Sequence, residues 1–159
     1  MFIVVLAATV APAGCGSSSS GGSTAETPPK GHISVTSSAL RANQPIAKPF
    51  TCVGRNVSPP LAWTGVPGAT KRLTLVLRDL DAHFVHWQVR GIGPRVTSVA
   101  QGKDPRGGHV DANSFGTRGY SGPCPPPGEG VHHYAFVLTA LGTKGKVLDR
   151  GSLTGTFAR

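Results

Sequence analysis

The side chains of this sequence best suited to chemistry stand beside its most regular apolar segments. Asp79 and Asp81 directly follow one such segment, His86 lies inside a second, and His132 begins a third. A carboxylate close to a histidine favours the charged imidazolium, which donates hydrogen bonds to an anion. A single histidine in a strand is more often structural, so it is the coincidence of these four residues that indicates a site for an anionic ligand.

Other chemistries require patterns that the sequence lacks. It contains neither a G-x-S-x-G motif for a serine nucleophile nor the phosphate-binding motif G-x-x-x-x-G-K-[ST]. His83 and His86 are three positions apart and would face opposite sides of a strand, so they do not form a zinc pair. We therefore predict no catalytic residue, no metal ligand and no cofactor. A weak hydrolase that uses Asp79 and His86 as an acid–base pair is an alternative.

The segments that carry these residues alternate between apolar and polar side chains, which is typical of strands. The predicted strands are 32–37, 72–78, 84–91, 133–141 and 153–158. His86 and Trp87 are neighbours in the third of them and should face opposite sides of the sheet. The chain also has 22 glycines and 14 prolines and no convincing amphipathic helix, which predicts an all-β antiparallel sandwich or barrel.

The charge balance favours anionic partners. Lys and Arg number 16 against 7 Asp and Glu, which gives a net charge of +9. Such a balance suits phospholipid surfaces or acidic ligands, although part of it serves solubility. The basic residues are scattered and are not interleaved with aromatic residues, so we do not expect a nucleic-acid partner.

The first 15 residues read as an export signal. Residues 2–11, FIVVLAATVA, form an apolar run that is too short to span a bilayer. The run is followed by small residues and Cys15, an order that resembles a bacterial lipoprotein signal and would make Cys15 the lipidation site. Two features depart from this pattern: Pro12 stands where leucine is usual, and no Lys or Arg precedes the run. The true start of the protein would then lie upstream of Met1, or the sequence would be a fragment. A plain cleaved signal or a mistranslated leader is the alternative to a lipoprotein signal.

A Gly, Ser and Pro-rich segment at 16–31 follows and predicts a flexible tether, because it cannot bury a core. The folded domain is expected at 32–159. This organisation predicts an exported protein anchored to the cell membrane on its extracytoplasmic side.

Several segments, taken in chain order, resemble the phosphatidylethanolamine-binding protein (PEBP) family in its bacterial Raf kinase inhibitor-like branch. The resemblance runs from Ile33 to Arg159. It is carried by PFTCVGRNVSPPLAW, GVPGATKRLTLVLRDLDA, HWQV, FGTRGYSGPCPPPGEGVHHYAF and the terminal LTGTFAR. It implies a sandwich of two antiparallel sheets with Greek-key topology and few short helices.

The resemblance also implies a small anion pocket at one edge of the domain. Carried over residue by residue, its ligand-binding set is Asp79, Asp81, His86, Tyr120, Gly122, Pro123, His132 and Tyr134. Members of the family bind phosphate, acetate-like anions or phospholipid head groups, and some inhibit kinases or serine proteases. We therefore expect a binding protein for phosphate-type ligands, with inhibition of a kinase or protease as an alternative.

Three departures from the family pattern bear on this pocket. Leu80 and His83 stand where the family has prolines, so a proline-defined bend after Asp79 is lost. The link between the segments HHYAFVLTALG and GKVLDRGSLTGTFAR is also short. Because family members commonly carry an additional segment there, the short link predicts a more open pocket.

Two cysteines remain once Cys15 is assigned to the anchor. Cys52 and Cys124 form an even pair in an exported domain, which predicts a disulfide beside the pocket. Two buried free thiols are the alternative.

Overall fold

A computed structural model describes residues 32–159 of the chain. The predicted signal segment 1–15, its lipidation site Cys15 and the predicted tether 16–31 lie outside the described residues. None of the helices among the described residues is long and apolar enough to span a membrane.

The described residues form two antiparallel sheets. The smaller sheet contains β1 (Ser34–Thr36), β2 (Leu61–Thr64) and β5 (Ser98–Val99), in the order β1-β2-β5. The larger sheet contains β3 (Arg72–Asp79), β4 (Phe84–Ile92), β6 (His109–Val110), β7 (His132–Leu141) and β8 (Val147–Phe157), in the order β6-β4-β3-β7-β8. Two short 3-10 turns, Lys48–Phe50 and Thr143–Gly145, complete the elements. The long connection from β4 to β7 brings the chain back beside β3, and the expected all-β PEBP-like sandwich is confirmed.

One continuous core joins the two sheets. Leu73, Leu75 and Leu77 alternate along β3 and are fully buried, as the sequence pattern predicts. They pack in the same cluster as Trp63 of the smaller sheet and Trp87 of β4. Because β3 is paired on both sides, with β4 and β7, it fixes the position of the strands on either side of it.

His86 departs from the expected alternation along β4. Trp87 pairs with Leu77 and Val85 pairs with Arg78, so His86 between them has no partner on β3. This β-bulge breaks the two-residue period, and His86 and Trp87 are both buried. The sequence prediction that the two side chains face opposite sides overlooked the bulge, which turns His86 from an outward position into a buried one.

The short link between β7 and β8 is the turn at Thr143–Gly145. It lies at the Leu141 end of β7, whereas His132 lies at the other end. Ten residues of strand separate these ends by about 30 Å. The turn is therefore remote from His132, and its shortness does not uncover the predicted pocket.

The smaller sheet rests on the larger one where β1 meets β8. A Cβ atom built on Gly151 would lie 2.2 Å from the carbonyl oxygen of Ile33, so only glycine allows this approach. We expect Gly151→Ala to lower the free energy of unfolding by about 1–3 kcal/mol in chemical denaturation, because the two backbones must separate. Gly68→Ala is the matched control, since a Cβ there meets no atom within 4 Å. Equal stability of the two variants would contradict this account.

Cys52 and Cys124 form a disulfide across a sequence separation of 72, with their Cα atoms 5.4 Å apart. Closing a loop of this length stabilises the folded state by about 4 kcal/mol in the chain-entropy model. We expect the double variant Cys52→Ser/Cys124→Ser to lose stability of this order in urea denaturation and to be insensitive to added reductant. Alkylation of both thiols in the native, unreduced protein would show that the bond does not form.

Candidate functional site

A cavity of about 260 Å³ opens where β3 ends and where β4 and β7 begin. The loop at 119–126 forms one side of it. The residues that line the cavity are Asp79, Ala82, Phe84, His86, Phe115, Cys124, Pro125, Pro126, Glu129 and His132. Three of the predicted site residues, Asp79, His86 and His132, are therefore brought together here from three different strands.

Asp79 is the buried polar centre of this cavity, with only 3% of its surface exposed. Its Oδ2 accepts a hydrogen bond from Nδ1 of His132 at 2.8 Å. Its Oδ1 accepts the backbone amides of Asp81 and Ala82 at 2.9 and 3.0 Å, which closes the turn after β3. Asp79 thus holds the β3–β4 turn and the first residue of β7 in one hydrogen-bonded unit.

These hydrogen bonds replace the proline-defined bend that the sequence lacks. His83, which stands where the family has a proline, has a φ of 54°. Proline is locked near −65° and cannot adopt this value, so the turn takes a different path here. The side chain of Asp79 is oriented by its own hydrogen bonds to the turn.

The ion pair shifts the pKa values of both partners. Burial alone raises the pKa of Asp79, but the hydrogen bonds from His132 and the Ala82 amide outweigh burial and bring it below 3.8. The hydrogen bond to Asp79 raises the pKa of His132 above 6.5 in spite of desolvation. The Asp79 contribution to stability is lost as pH falls through its lowered pKa, and the His132 contribution is lost as pH rises through its raised pKa. The pair therefore stabilises the fold most between about pH 4 and 6.5.

His86 has the opposite protonation preference. Burial lowers its pKa below 6.5, although the carbonyl groups around it oppose this shift. Its Nδ1 donates to the carbonyl oxygens of Ser121 and Gly122, at 2.9 and 3.1 Å, so Nδ1 carries the proton in the neutral ring. Nε2 is then an acceptor until His86 is protonated. The edges and faces of Phe84 and Phe115 surround the imidazole at centroid distances of 5.3 and 5.4 Å.

The loop that meets His86 is held by two amide side chains, of the buried Asn113 and the exposed Asn56. Nδ2 of Asn113 lies within hydrogen-bonding distance of the His86 carbonyl, the Gly119 carbonyl and the Ser121 hydroxyl, at 3.3, 3.2 and 3.0 Å. The amide of Gly122 donates to Oδ1 of Asn56 at 2.7 Å. Glycine is required there, because a Cβ would lie 2.4 Å from the carbonyl oxygen of Phe50. The loop therefore reaches His86 as a preorganised unit.

The other predicted site residues lie around the cavity and do not line it. Asp81 is exposed and accepts hydrogen bonds from the amide and ring of His133. The Tyr120 hydroxyl donates to the Phe50 carbonyl, and the Pro123 carbonyl accepts the Cys52 amide. Gly122 lines a neighbouring cavity of about 180 Å³. Tyr134 is fully buried behind the histidines, with its ring 5.3 Å from His86 and 6.3 Å from His132.

Sequence reasoning did not select the apolar wall or the loop supports. Phe84, Phe115, Pro125 and Pro126 form the apolar side of the cavity. Asn56 and Asn113 hydrogen-bond to residues that lie 66 and 27 positions away in the sequence. The phenylalanines had a weak signal, because Phe115 begins a segment that carries the family resemblance and Phe84 begins a predicted strand. The asparagines look like ordinary turn residues in the sequence, so nothing marked them.

A group of potential metal ligands lies at the same end of the domain. Potential ligand atoms of Asp79, Asp81 and His132 lie within 4.8 Å of one another. However, Oδ2 of Asp79 bonds to Nδ1 of His132, and Oδ2 of Asp81 bonds to His133. Hydrogen bonds within the protein already engage these oxygen and nitrogen atoms, so we assign no metal ion to them.

The role of Asp79 can be tested with Asp79→Asn. The amide can still accept the turn hydrogen bonds but carries no charge, so we expect the pKa of His132, followed by NMR titration, to fall. The free energy of unfolding at neutral pH should fall by about 1–3 kcal/mol, because a buried charge-assisted hydrogen bond is weakened. Asp81→Asn is the matched control: Asp81 makes no hydrogen bond to His132 and acts on it only through space, so the pKa of His132 should fall much less than in Asp79→Asn. An unaltered His132 titration in Asp79→Asn would refute the assignment.

Comparison with known proteins places the chain and its fold in one family. Residues 36–158 match the sequence profile described as "Phosphatidylethanolamine-binding protein". A Mycobacterium tuberculosis protein named "Putative lipoprotein LppC" is 42% identical over 155 residues, which covers 86% of this chain and 76% of the relative. The crystal structure of the PEBP homolog CT736 from Chlamydia trachomatis superposes with a TM-score of 0.72 at 28% identity, covering 81% of this chain and 99% of that chain. E. coli YbcL, described as a new member of the mammalian PEBP family, gives a TM-score of 0.72 at 26% identity and covers 80% and 99%. A profile match over nearly the whole described domain, together with these relatives, shows that the chain belongs to the phosphatidylethanolamine-binding protein family.

Proposed function

We propose that the cavity binds phosphate-type head groups, as a free phosphodiester or as part of a phospholipid. The observation that carries this proposal is the 2.8 Å hydrogen bond from Nδ1 of His132 to Asp79. It favours the imidazolium form of His132, whose second nitrogen, Nε2, can then donate to an anionic oxygen. Membership of the family supports ligand binding at this site in a general sense.

The walls of the cavity support a ligand with one polar and one apolar end. Asp79, His86, His132 and Glu129 form the polar side, and two phenylalanines and two prolines form the apolar side. At about 260 Å³ the cavity is slightly smaller than the ~300–1,000 Å³ typical of sites for drug-sized molecules. A compact head group fits this size better than a large cofactor does.

Glu129 makes a zwitterionic head group a better candidate than a simple anion. Its Oε2 lies 3.6 Å from Nε2 of His132, and its side chain is 56% exposed at the rim. A carboxylate at this place competes with an anion for His132 but attracts an ammonium group. We therefore assign the phosphate of the ligand to His132, joined by His86 once His86 is protonated, and the ammonium group to Glu129.

The geometry supports binding over catalysis. An acid–base pair of Asp79 and His86 would require a carboxylate free to exchange a proton, but both Asp79 oxygens accept hydrogen bonds within the protein. Ser121 presents its carbonyl oxygen to His86, whereas its hydroxyl bonds to Asn113. This arrangement does not activate Ser121 as a nucleophile, because His86 has no hydrogen bond to its hydroxyl.

We also propose that the protein is exported and anchored through lipidation of Cys15. The support is the order of apolar run, small residues and cysteine in the sequence, together with a relative that is named as a lipoprotein. The disulfide between Cys52 and Cys124 is consistent with an oxidising compartment.

Glycerophosphoethanolamine tests the binding proposal, because the charge of its phosphodiester does not change between pH 5 and pH 8. We expect tighter binding as the pH falls through the raised pKa of His132, since only the imidazolium donates from both nitrogens. A second gain should follow at lower pH, where His86 also becomes protonated. Isothermal titration calorimetry across this range measures both effects.

His132→Asn should raise the Kd by about 10- to 100-fold, because a charge-assisted hydrogen bond is lost. The matched control is His133→Asn, which alters the exposed neighbour on the opposite face of β7. Binding that is independent of pH, or equal Kd values for the two variants, would reject the proposal.

A further inference from the structure

A second cavity, of about 730 Å³, lies at the opposite end of the larger sheet. Arg72, Arg95 and Arg106 line it together with small residues from the loops that follow β4. Arg72 begins β3, and Asp79 of the candidate site ends it. Eight residues of strand separate the two by about 23 Å. The arginine cavity is therefore distinct from the histidine cavity.

The arginines of this cavity are available to an external anion. All three side chains are exposed, and within residues 32–159 none of them has a carboxylate within 4 Å. The nearby acids have other partners. Asp104 accepts the indole N–H of Trp87, and Asp149 accepts the amide of Ile33. Each planar guanidinium group can donate two parallel hydrogen bonds to oxygens of one phosphate, so several of them around one concave surface suit phosphate groups.

Further cations extend this positive surface. The amide of Lys71 bonds to the Leu141 carbonyl, and Lys144 and Lys146 lie in the turn that follows β7. All three lysines are exposed at the Arg72 end of the sheet. By contrast, the carboxylates of the candidate site lie at the other end. Together with the three arginines, these lysines give this end of the described domain a basic surface, and the acids beside it, Asp104 and Asp149, are engaged in the hydrogen bonds given above.

The chain enters the domain at this positive end. Ile33 bonds to Asp149, and Ser34 pairs with Thr64 at the start of β1. The indole of Trp63, next to this pair, donates to the carbonyl of Val96 at 2.7 Å. Val96 lines the arginine cavity. The 16 residues between Cys15 and the described domain therefore join it beside this cavity.

We propose that the arginine cavity and its flanking lysines dock the domain on the anionic phospholipid surface of the membrane. The inference rests on the proposed lipidation of Cys15, which would place this end of the domain next to the bilayer. Phosphate groups of the lipids occupy the arginine cavity, and the lysines contribute electrostatic attraction around it. In this orientation the histidine cavity lies on the side of the domain away from the membrane.

The experiment measures co-sedimentation of the full chain, kept unlipidated by Cys15→Ser, with two kinds of vesicle. One is phosphatidylcholine alone and the other contains phosphatidylglycerol in addition. The difference in binding between the two kinds of vesicle measures the electrostatic contribution of the anionic lipid, because apolar contributions are the same for both vesicles. We compare the triple variant Arg72→Gln/Arg95→Gln/Arg106→Gln with the control triple variant Arg41→Gln/Arg55→Gln/Arg78→Gln. The control removes the same charge from exposed positions that do not line this cavity.

Each basic residue at an anionic surface contributes about fivefold to partitioning, so the cavity triple variant should lose roughly a hundredfold on the phosphatidylglycerol vesicles. The control triple variant should lose less than about fivefold, through its net charge alone. Equal losses would overturn the proposal.

These assays can reject either of the two proposals without rejecting the other. The cavity triple variant should retain glycerophosphoethanolamine binding and its thermal midpoint, which establishes that it is folded. His132→Asn should retain vesicle binding. Absence of head-group binding in the parent chain, with intact vesicle binding, would reject the proposed function alone. Absence of any phosphatidylglycerol dependence in the parent chain would reject membrane docking alone.

Discussion

The hydrogen bond between Asp79 and His132 is the interaction on which the candidate site depends. It joins the last residue of β3 to the first residue of β7, and the same carboxylate closes the turn into β4. A buried ion pair is weak support for stability, because desolvation offsets much of the attraction. Its contribution here is orientation: it fixes the tautomer of His132 and leaves Nε2 as the nitrogen available to a ligand.

The two histidines of the cavity receive opposite electrostatic environments from elements that lie close together. His132 meets a carboxylate and is biased towards the imidazolium, whereas His86 meets two carbonyl groups in an apolar setting and is biased towards the neutral ring. The β-bulge at His86 makes this possible, because it buries a side chain that regular alternation would direct outward. The cavity can therefore offer a donor and an acceptor at the same pH.

The sequence was a good guide wherever local patterns decide the structure. The central strand was expected at 72–78 and runs from Arg72 to Asp79, because alternating leucines leave little choice of register. The last strand was expected only from residue 153, whereas β8 begins at Val147. Its first half, VLDRGS, lacks a regular apolar face. Pairing with β7, rather than its own composition, makes this segment a strand.

The site was predictable to the extent that the family motif marks it. Asp79, His86 and His132 were identified, but their geometry was not, because it arises from the bulge and from the turn hydrogen bonds. Asn113 and Asn56 were missed because their contacts join segments distant in sequence. The sequence likewise did not show that Asp104 and Asp149 hydrogen-bond to other groups. These two acids therefore form no ion pair with the arginines of the second cavity.

Cys124 belongs both to the disulfide and to the wall of the histidine cavity. The bond to Cys52 therefore couples the completion of that wall to the redox state of the compartment in which the chain folds. In a reducing cytoplasm the loop at 119–126 would rely on its hydrogen bonds alone, and the cavity would be finished only after oxidation.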